Sequence, residues 1–219
     1  MGLTYPPVRL VHQITGQISG ASDCGPATAA MTVDFATGGR IRPSLLEIRR
    51  RMGVPHGPTT VHDQEQAVES YDREAVHVGL RPVHLAPHLR GDWHDCHAVM
   101  VAGTRWLGLV LDYETINDDP VGRRLSGDKN FMGLHFLGAF GHRVDGRGIQ
   151  RVRIYDPLAD GRRPGIPEGV RWWPVELVRR AMADAAGPGR ATWTQTARCE
   201  RLPRHSSYDA GEGFAEDAA

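Results

Sequence analysis

The stretch Asp23-Cys24-Gly25-Pro26-Ala27-Thr28-Ala29-Ala30-Met31 decides how this chain is read. Pro26 suits the first turn of a helix, where its missing N–H leaves nothing unsatisfied and its fixed φ is already helical. Ala27, Ala29 and Ala30 have high helix propensity, and Met31, Val33 and Phe35 add apolar surface. Gly38-Gly39 is a C-terminal stop signal. Cys24 is therefore expected at a helix N-terminus, where the positive end of the peptide dipoles favours a thiolate. The thiolate is the nucleophilic form of cysteine. Taken by itself, the stretch is equally compatible with a buried, inert cysteine.

A nucleophilic cysteine needs a base, and the base needs a group to orient it. Far downstream, Gly133-Leu134-His135-Phe136-Leu137-Gly138-Ala139-Phe140 is an apolar, strand-like run with a histidine near its start. Val152-Arg153-Ile154-Tyr155-Asp156-Pro157 is a second, alternating strand that ends in an aspartate. Two adjacent antiparallel strands would place His135 beside Asp156. Gln17 precedes Cys24 in a Gly/Ser-rich loop, and its amide would serve as a donor to an oxyanion.

The order Gln, Cys, His, Asp resembles that of papain-like cysteine peptidases. Asp23-Cys24-Gly25-Pro26-Ala27, the strand opened by His135, and Tyr155-Asp156-Pro157 resemble more narrowly the bacteriocin-leader-processing peptidases. Cysteine-peptidase modules of actinobacteriophage endolysins look more similar still, through Gly133-Leu134-His135 and Asp156-Pro157-Leu158-Ala159-Asp160-Gly161-Arg162-Arg163. The resemblance implies a nucleophile at Cys24, a general base at His135, an orienting carboxylate at Asp156 and an oxyanion donor at Gln17. Two features depart from the leader-processing pattern. The gap from Gln17 to Cys24 is longer by one residue, and the loop between His135 and Asp156 is also longer.

The 219 residues suit one domain, expected over residues 1–200, with a flexible tail over 201–219. A hydrophobic content of 40% supports a sizeable core. Acidic and basic residues balance at 26 each, which gives no electrostatic case for nucleic acid. Arginine dominates over lysine, which occurs only at Lys129, a bias typical of GC-rich genomes. Three cysteines make no disulfide framework. Neither a signal peptide nor a bilayer-spanning run is expected.

Helices are expected at Pro43–Met52, from Thr60 to Tyr71 through a Thr60/Asp63 capping box, across His94-Asp95-Cys96-His97, and from Trp172-Trp173-Pro174 through Met182. Arg49-Arg50-Arg51 reads as a solvated face, with phosphate binding the distant alternative. The His94–His97 cluster carries metal-type side chains, but no second pair at zinc-site spacing accompanies it, so no metal or other cofactor is expected. His97 is the rival to His135 as base. Trp106–Tyr113 reads as a strand, 114–132 as a surface loop, 158–169 as a loop, and 192–198 as a last strand.

The expected fold class is α+β and papain-like. A helical N-terminal half carries the nucleophile and packs on an antiparallel sheet that carries His135 and Asp156. The expected function is amide hydrolysis by a thiol hydrolase. The endolysin resemblance implies peptidoglycan peptides as substrate, action at a bacterial wall or within a phage virion, and virion proteins as partners of the tail. Two alternatives stand beside it: a leader- or protein-processing peptidase, and a structural tail protein that keeps the fold without turnover.

Overall fold

The computed structural model describes residues 8–14, 22–83, 85, 88–91, 93–101, 106–160, 168–187, 191–196 and 198–202. Four helices come first: α1 (Cys24–Ala36), α2 (Leu45–Met52), α3 (Val61–Glu69) and α4 (Asp72–His77). There follow β1 (Leu80–Arg81), β2 (His88–Gly91), α5 (Trp93–Val101), β3 (Trp106–Asp112), α6 (Tyr113–Asp118) and α7 (Gly122–Leu125). The chain continues with β4 (Leu134–Val144), β5 (Gln150–Asp160), β6 (Glu168–Pro174), α8 (Val175–Ala186), β7 (Ala191–Thr196) and β8 (Glu200–Arg201). Among these residues no helix is long and apolar enough to cross a membrane.

Six strands form an antiparallel sheet in the order β2-β7-β3-β4-β5-β6, and β1 pairs separately with β8. Alternation along β3 sorts its side chains between two cores. Trp106 joins Met31 and Phe35 of α1, with Phe140 and Tyr155, on one face. Leu107, Leu109 and Leu111 join Val178, Ala181 and Met182 of α8 on the other. The fold is thus α+β, with the sheet held between α1 and α8.

Helix α1 is buried along its length after Cys24, which is why its sequence lacks a polar face. Ala29, Ala30, Val33 and Ala36 face Ile48 and Met52 of α2 and Ala67 and Val68 of α3. These small side chains let the helices approach closely. The opposite side seats Phe35, whose ring meets Phe140 edge-on with centroids 5.1 Å apart. Truncating so deep an aromatic side chain to alanine costs about 3–5 kcal/mol.

Several expectations need correction. Trp172 and Trp173 lie in β6, not in a helix, and α8 begins only after Pro174. Aromatic residues favour strands, and Trp173 pairs with Val152 and fills the core, while Arg143 lies over the Trp172 ring at 4.3 Å. The 114–132 loop contains α6 and α7. Strand β5 runs past Asp156 to Asp160. The capping box of Thr60 and Asp63 forms, but its helix stops at Glu69 and α4 follows. Arg49-Arg50-Arg51 does not form one solvated face, because steps of about 100° send successive side chains in different directions. Only Arg50 is exposed; Arg51 lies over the Tyr71 ring at 3.7 Å, and Arg49 is buried.

Candidate active site

Cys24 is the first residue of α1 and is half-buried. The next position admits only glycine. A Cβ at Gly25 would stand 2.0 Å from Thr59 Oγ1 and 3.4 Å from Gln64 Nε2. The Cys-Gly-Pro sequence therefore does two things: it starts the helix and lets its first turn press against the chain leading into α3.

Strand β4 delivers His135, which lies opposite Leu111 of β3 and is fully buried. Strand β5 delivers Asp156. Gly138 faces Tyr155 across the two strands, so the same register sets Asp156 beside Leu137, with His135 two residues along on the same face. Immediately after Tyr155 the pairing of β5 with β6 shifts register. Such irregularities re-aim side chains. The result is a hydrogen bond from His135 Nε2 to Asp156 Oδ1 at 2.8 Å.

With Nε2 donating to the carboxylate, Nδ1 is the ring nitrogen left for the Cys24 thiol. Nδ1 is buried, and hydrogen bonding and charge interaction with the Cys24 thiol both raise the ring. Contacts of this kind commonly tighten only when substrate binds. Burial pushes the Cys24 thiol up, but His135 and the backbone N–H groups of Phe136 and Gly25 outweigh it, so the thiol lies below its ordinary value. Burial disfavours the imidazolium of His135, and Asp156 and Cys24 more than offset that, raising it to about 9. Burial would raise Asp156 as well, yet His135, Tyr113 and the Leu158 N–H hold it below the usual carboxylate range. The three groups together favour a thiolate–imidazolium pair backed by a carboxylate.

Two residues missed by the sequence reading complete the setting. Tyr113, buried at the start of α6, donates its hydroxyl proton to Asp156 Oδ2 and accepts a hydrogen bond from the Gly127 N–H at 2.7 Å. Leu158 N–H donates to Asp156 Oδ1 at 2.9 Å. The carboxylate is thereby fixed from three directions. The Tyr113 ring meets His135 edge-on with centroids 5.0 Å apart, and Phe131 does so from 5.8 Å. Asn117 donates to the carbonyls of Asp128 and Phe131 at 3.0 and 2.8 Å and so holds the loop that carries Phe131. The sequence signal was faint: a tyrosine closing an apolar strand reads as packing. Only a buried phenol's need for a hydrogen-bond partner hinted otherwise.

His135 and Asp156 are hydrogen-bonded, and His135 interacts with the Cys24 thiol. Gln17 lies outside the described residues. Gln13 is fully buried, and its backbone N–H donates to the Pro157 carbonyl at 3.0 Å, one residue from Asp156. The rival histidine, His97, instead packs its ring against that of His142 of β4, 5.2 Å away at 85°. Among the described residues no three His, Cys, Asp or Glu side chains converge to hold a metal ion.

The chain matches no protein-family profile and no curated protein. Among solved structures, it is similar to the peptidase domain of Streptococcus ComA, a bifunctional ABC transporter involved in a quorum-sensing pathway. That likeness spans 88% of this chain and 99% of that one, with a TM-score of 0.48 at 15% identity. It is also similar to a putative C39-like peptidase from Bacillus anthracis, over 89% of this chain and 97% of that one, with a TM-score of 0.54 at 13% identity. The second likeness establishes the architecture: this chain has the papain-like fold of C39-like peptidases.

Proposed function

We propose that the protein is a cysteine peptidase that hydrolyses an amide bond in a peptide. The observation that carries this reading is the hydrogen bond from His135 to Asp156, with the helix-opening thiol of Cys24 lowered chiefly by the same His135. The Cys24 thiolate attacks the carbonyl carbon, and the oxyanion that forms is met by the Cys24 N–H and, in this reading, by the Gln17 side chain. Imidazolium His135 gives its proton to the leaving amine, whose departure leaves an acyl thioester on Cys24. His135 then takes a proton from water as it attacks the thioester, and the acid product leaves with the thiolate restored. Asp156 keeps the ring oriented throughout and stabilises its charged form.

The proposed substrate is a peptide, and the proposed setting is peptidoglycan, with action at a bacterial wall or in a virion. That setting is supported by the resemblance around His135 and over residues 156–163, and a virion role would give the 201–219 tail its partners. The class is tested with a peptide epoxide, which should alkylate Cys24 and spare Cys96 and Cys199 in mass mapping of the full chain. Labelling spread over all three, or absent from Cys24, overturns it. Digestion of purified actinobacterial peptidoglycan, with mass analysis of released fragments, tests the setting. Unchanged peptidoglycan beside a cleaved precursor peptide would favour a protein-processing role.

A further inference from the structure

Asp23 is the N-cap residue of α1, and aspartate normally caps a helix by accepting a backbone N–H with its side chain. Here it does not. The contrast lies within the same molecule: Ser44, Thr60 and Asp112 are the N-caps of α2, α3 and α6, and each side chain accepts a capping hydrogen bond. The Asp23 carboxylate is turned instead toward Arg49 of α2, whose Nε donates to Asp23 Oδ1. Arg49 is 4% exposed and Asp23 1%. The remaining guanidinium donors are committed to the same neighbourhood. Nη1 bonds the Val54 carbonyl at 3.0 Å, and Nη2 bonds those of Ser22 and Gly57 at 3.0 and 3.1 Å.

Rotated back toward its own helix, the carboxylate would find one N–H among the usual capping positions. Pro26 has none, so that donor is Gly25, and the Gly25 N–H is a group that lowers the Cys24 thiol. Sulfur and carboxylate would compete for it, with the carboxylate adding a negative charge beside the thiolate.

We infer that Arg49 is a positioning residue of the Cys24 site: it holds the Asp23 carboxylate off the N-terminus of α1, leaving the Gly25 N–H and the end of the helix to the sulfur. The inference rests on the reading of Cys24 as nucleophile. The other charged groups around α1 do not change in the test. Among the described residues they include His135 of β4 with Asp156 of β5 behind it, Glu65 of α3 in the pocket beside Thr32, His62 next to Glu65, Asp34 paired with Arg42, and Arg198 over the Phe35 ring at 5.6 Å.

The test measures the rate of Cys24 alkylation by iodoacetamide against pH in the full chain, with the site read by peptide mapping. Arg49→Gln should raise the midpoint by about one pH unit, the size expected of one unit charge several ångströms away. Asp23→Ala should leave it at or below the wild-type value. In the Asp23→Ala background, Arg49→Gln should then move it by clearly less, since only the guanidinium charge is lost and no carboxylate remains to be released. A role in folding alone would not make the Arg49 shift depend on Asp23. Equal shifts in both backgrounds, or no shift in either, overturn the inference. If Arg49→Gln does not fold, Asp23→Ala decides: a midpoint above wild type means the carboxylate helps the thiolate, and the inference falls. A wild-type midpoint no lower than that of an ordinary thiol instead overturns the reading of Cys24 itself.

Discussion

Helix α1 has a cysteine at each end. Cys24 opens it, and the Cys199 N–H donates to the carbonyl of Ala36, its last residue, at 2.8 Å. Both thiols are half-buried and free. Burial pushes both upward, yet they end on opposite sides of the ordinary value. Cys199, beside the Asp72 carboxylate, is pushed to about 11. Cys24 has the imidazolium of His135 and two backbone N–H groups, and it falls below the usual range. Exposure therefore does not separate the two thiols. The sign of the surrounding charge does, and the helix dipole points the same way, positive at Cys24 and negative toward Cys199.

The comparison breaks most completely at Cys24 itself. Cys24→Ala should lower peptide hydrolysis by about 10⁴-fold or more, with the fold retained because the change is small and lies at a helix start. Cys24→Ser should be nearly as poor, since a hydroxyl is far less acidic than a thiol. Circular dichroism checks the fold, and full activity in a folded alanine variant ends the mechanism. His135→Ala comes next, at about 10²–10⁴-fold. His97→Ala should stay within a few-fold, because His97 packs on His142 rather than on the thiol. A dead His97 variant beside an active His135 variant would move the base to α5.

Smaller effects follow from what stands behind His135. Asp156→Asn should cause a partial loss, since the thiolate–imidazolium pair can form without a fixed ring orientation. Tyr113→Phe removes the hydroxyl that bridges Asp156 and the Gly127 N–H. That leaves buried groups short of a partner and should cost about 1–3 kcal/mol of stability, read as a lower melting temperature. The rate against pH should be bell-shaped. On the acid side it rises as Cys24 ionises, below the ordinary thiol value of 9.0. On the alkaline side it falls near pH 9, as His135 loses its proton. The stability that the raised His135 contributes is fully present below about pH 6.5 and disappears as pH climbs through about 9. An acid limb at the ordinary thiol value would show that Cys24 is not activated.

How much of this was legible in the sequence depended on whether the signal was local. Cys-Gly-Pro-Ala writes a helix start within four residues, and the alternation from Val152 to Tyr155 writes a strand, so the places of Cys24 and Asp156 in the fold were readable. The pairing of His135 with Asp156 was readable as well, because one hairpin joins them. The partner of Asp23 and the second side-chain partner of Asp156 were not. Arg49 lies 26 positions from Asp23, and Tyr113 lies 43 from Asp156. Arginine in a basic run and tyrosine after a strand each have common surface or packing roles. Trp172 and Trp173 failed for another reason: Pro174 does mark the start of α8, but a start signal says nothing about which state the residues before it adopt.

The smallest expected effect sharpens the comparison best. Cys199→Ser should change the rate of hydrolysis by less than about twofold. Its thiol is pushed to about 11, and its backbone N–H bond to Ala36 survives the substitution. The two thiols should also differ in alkylation at neutral pH. With a value near 11, about one Cys199 side chain in ten thousand is ionised at pH 7, whereas Cys24 draws on a thiol shifted the other way. Competition for limiting iodoacetamide, read by peptide mapping, should label Cys24 first, and the preference should shrink as the pH is raised toward 11 and Cys199 begins to ionise. The preference should also shrink in His135→Ala, which removes the largest of the groups that lower the Cys24 thiol. Labelling that ignores both changes would mean that access alone sets the order, and the two ends of α1 would then differ in packing rather than in charge.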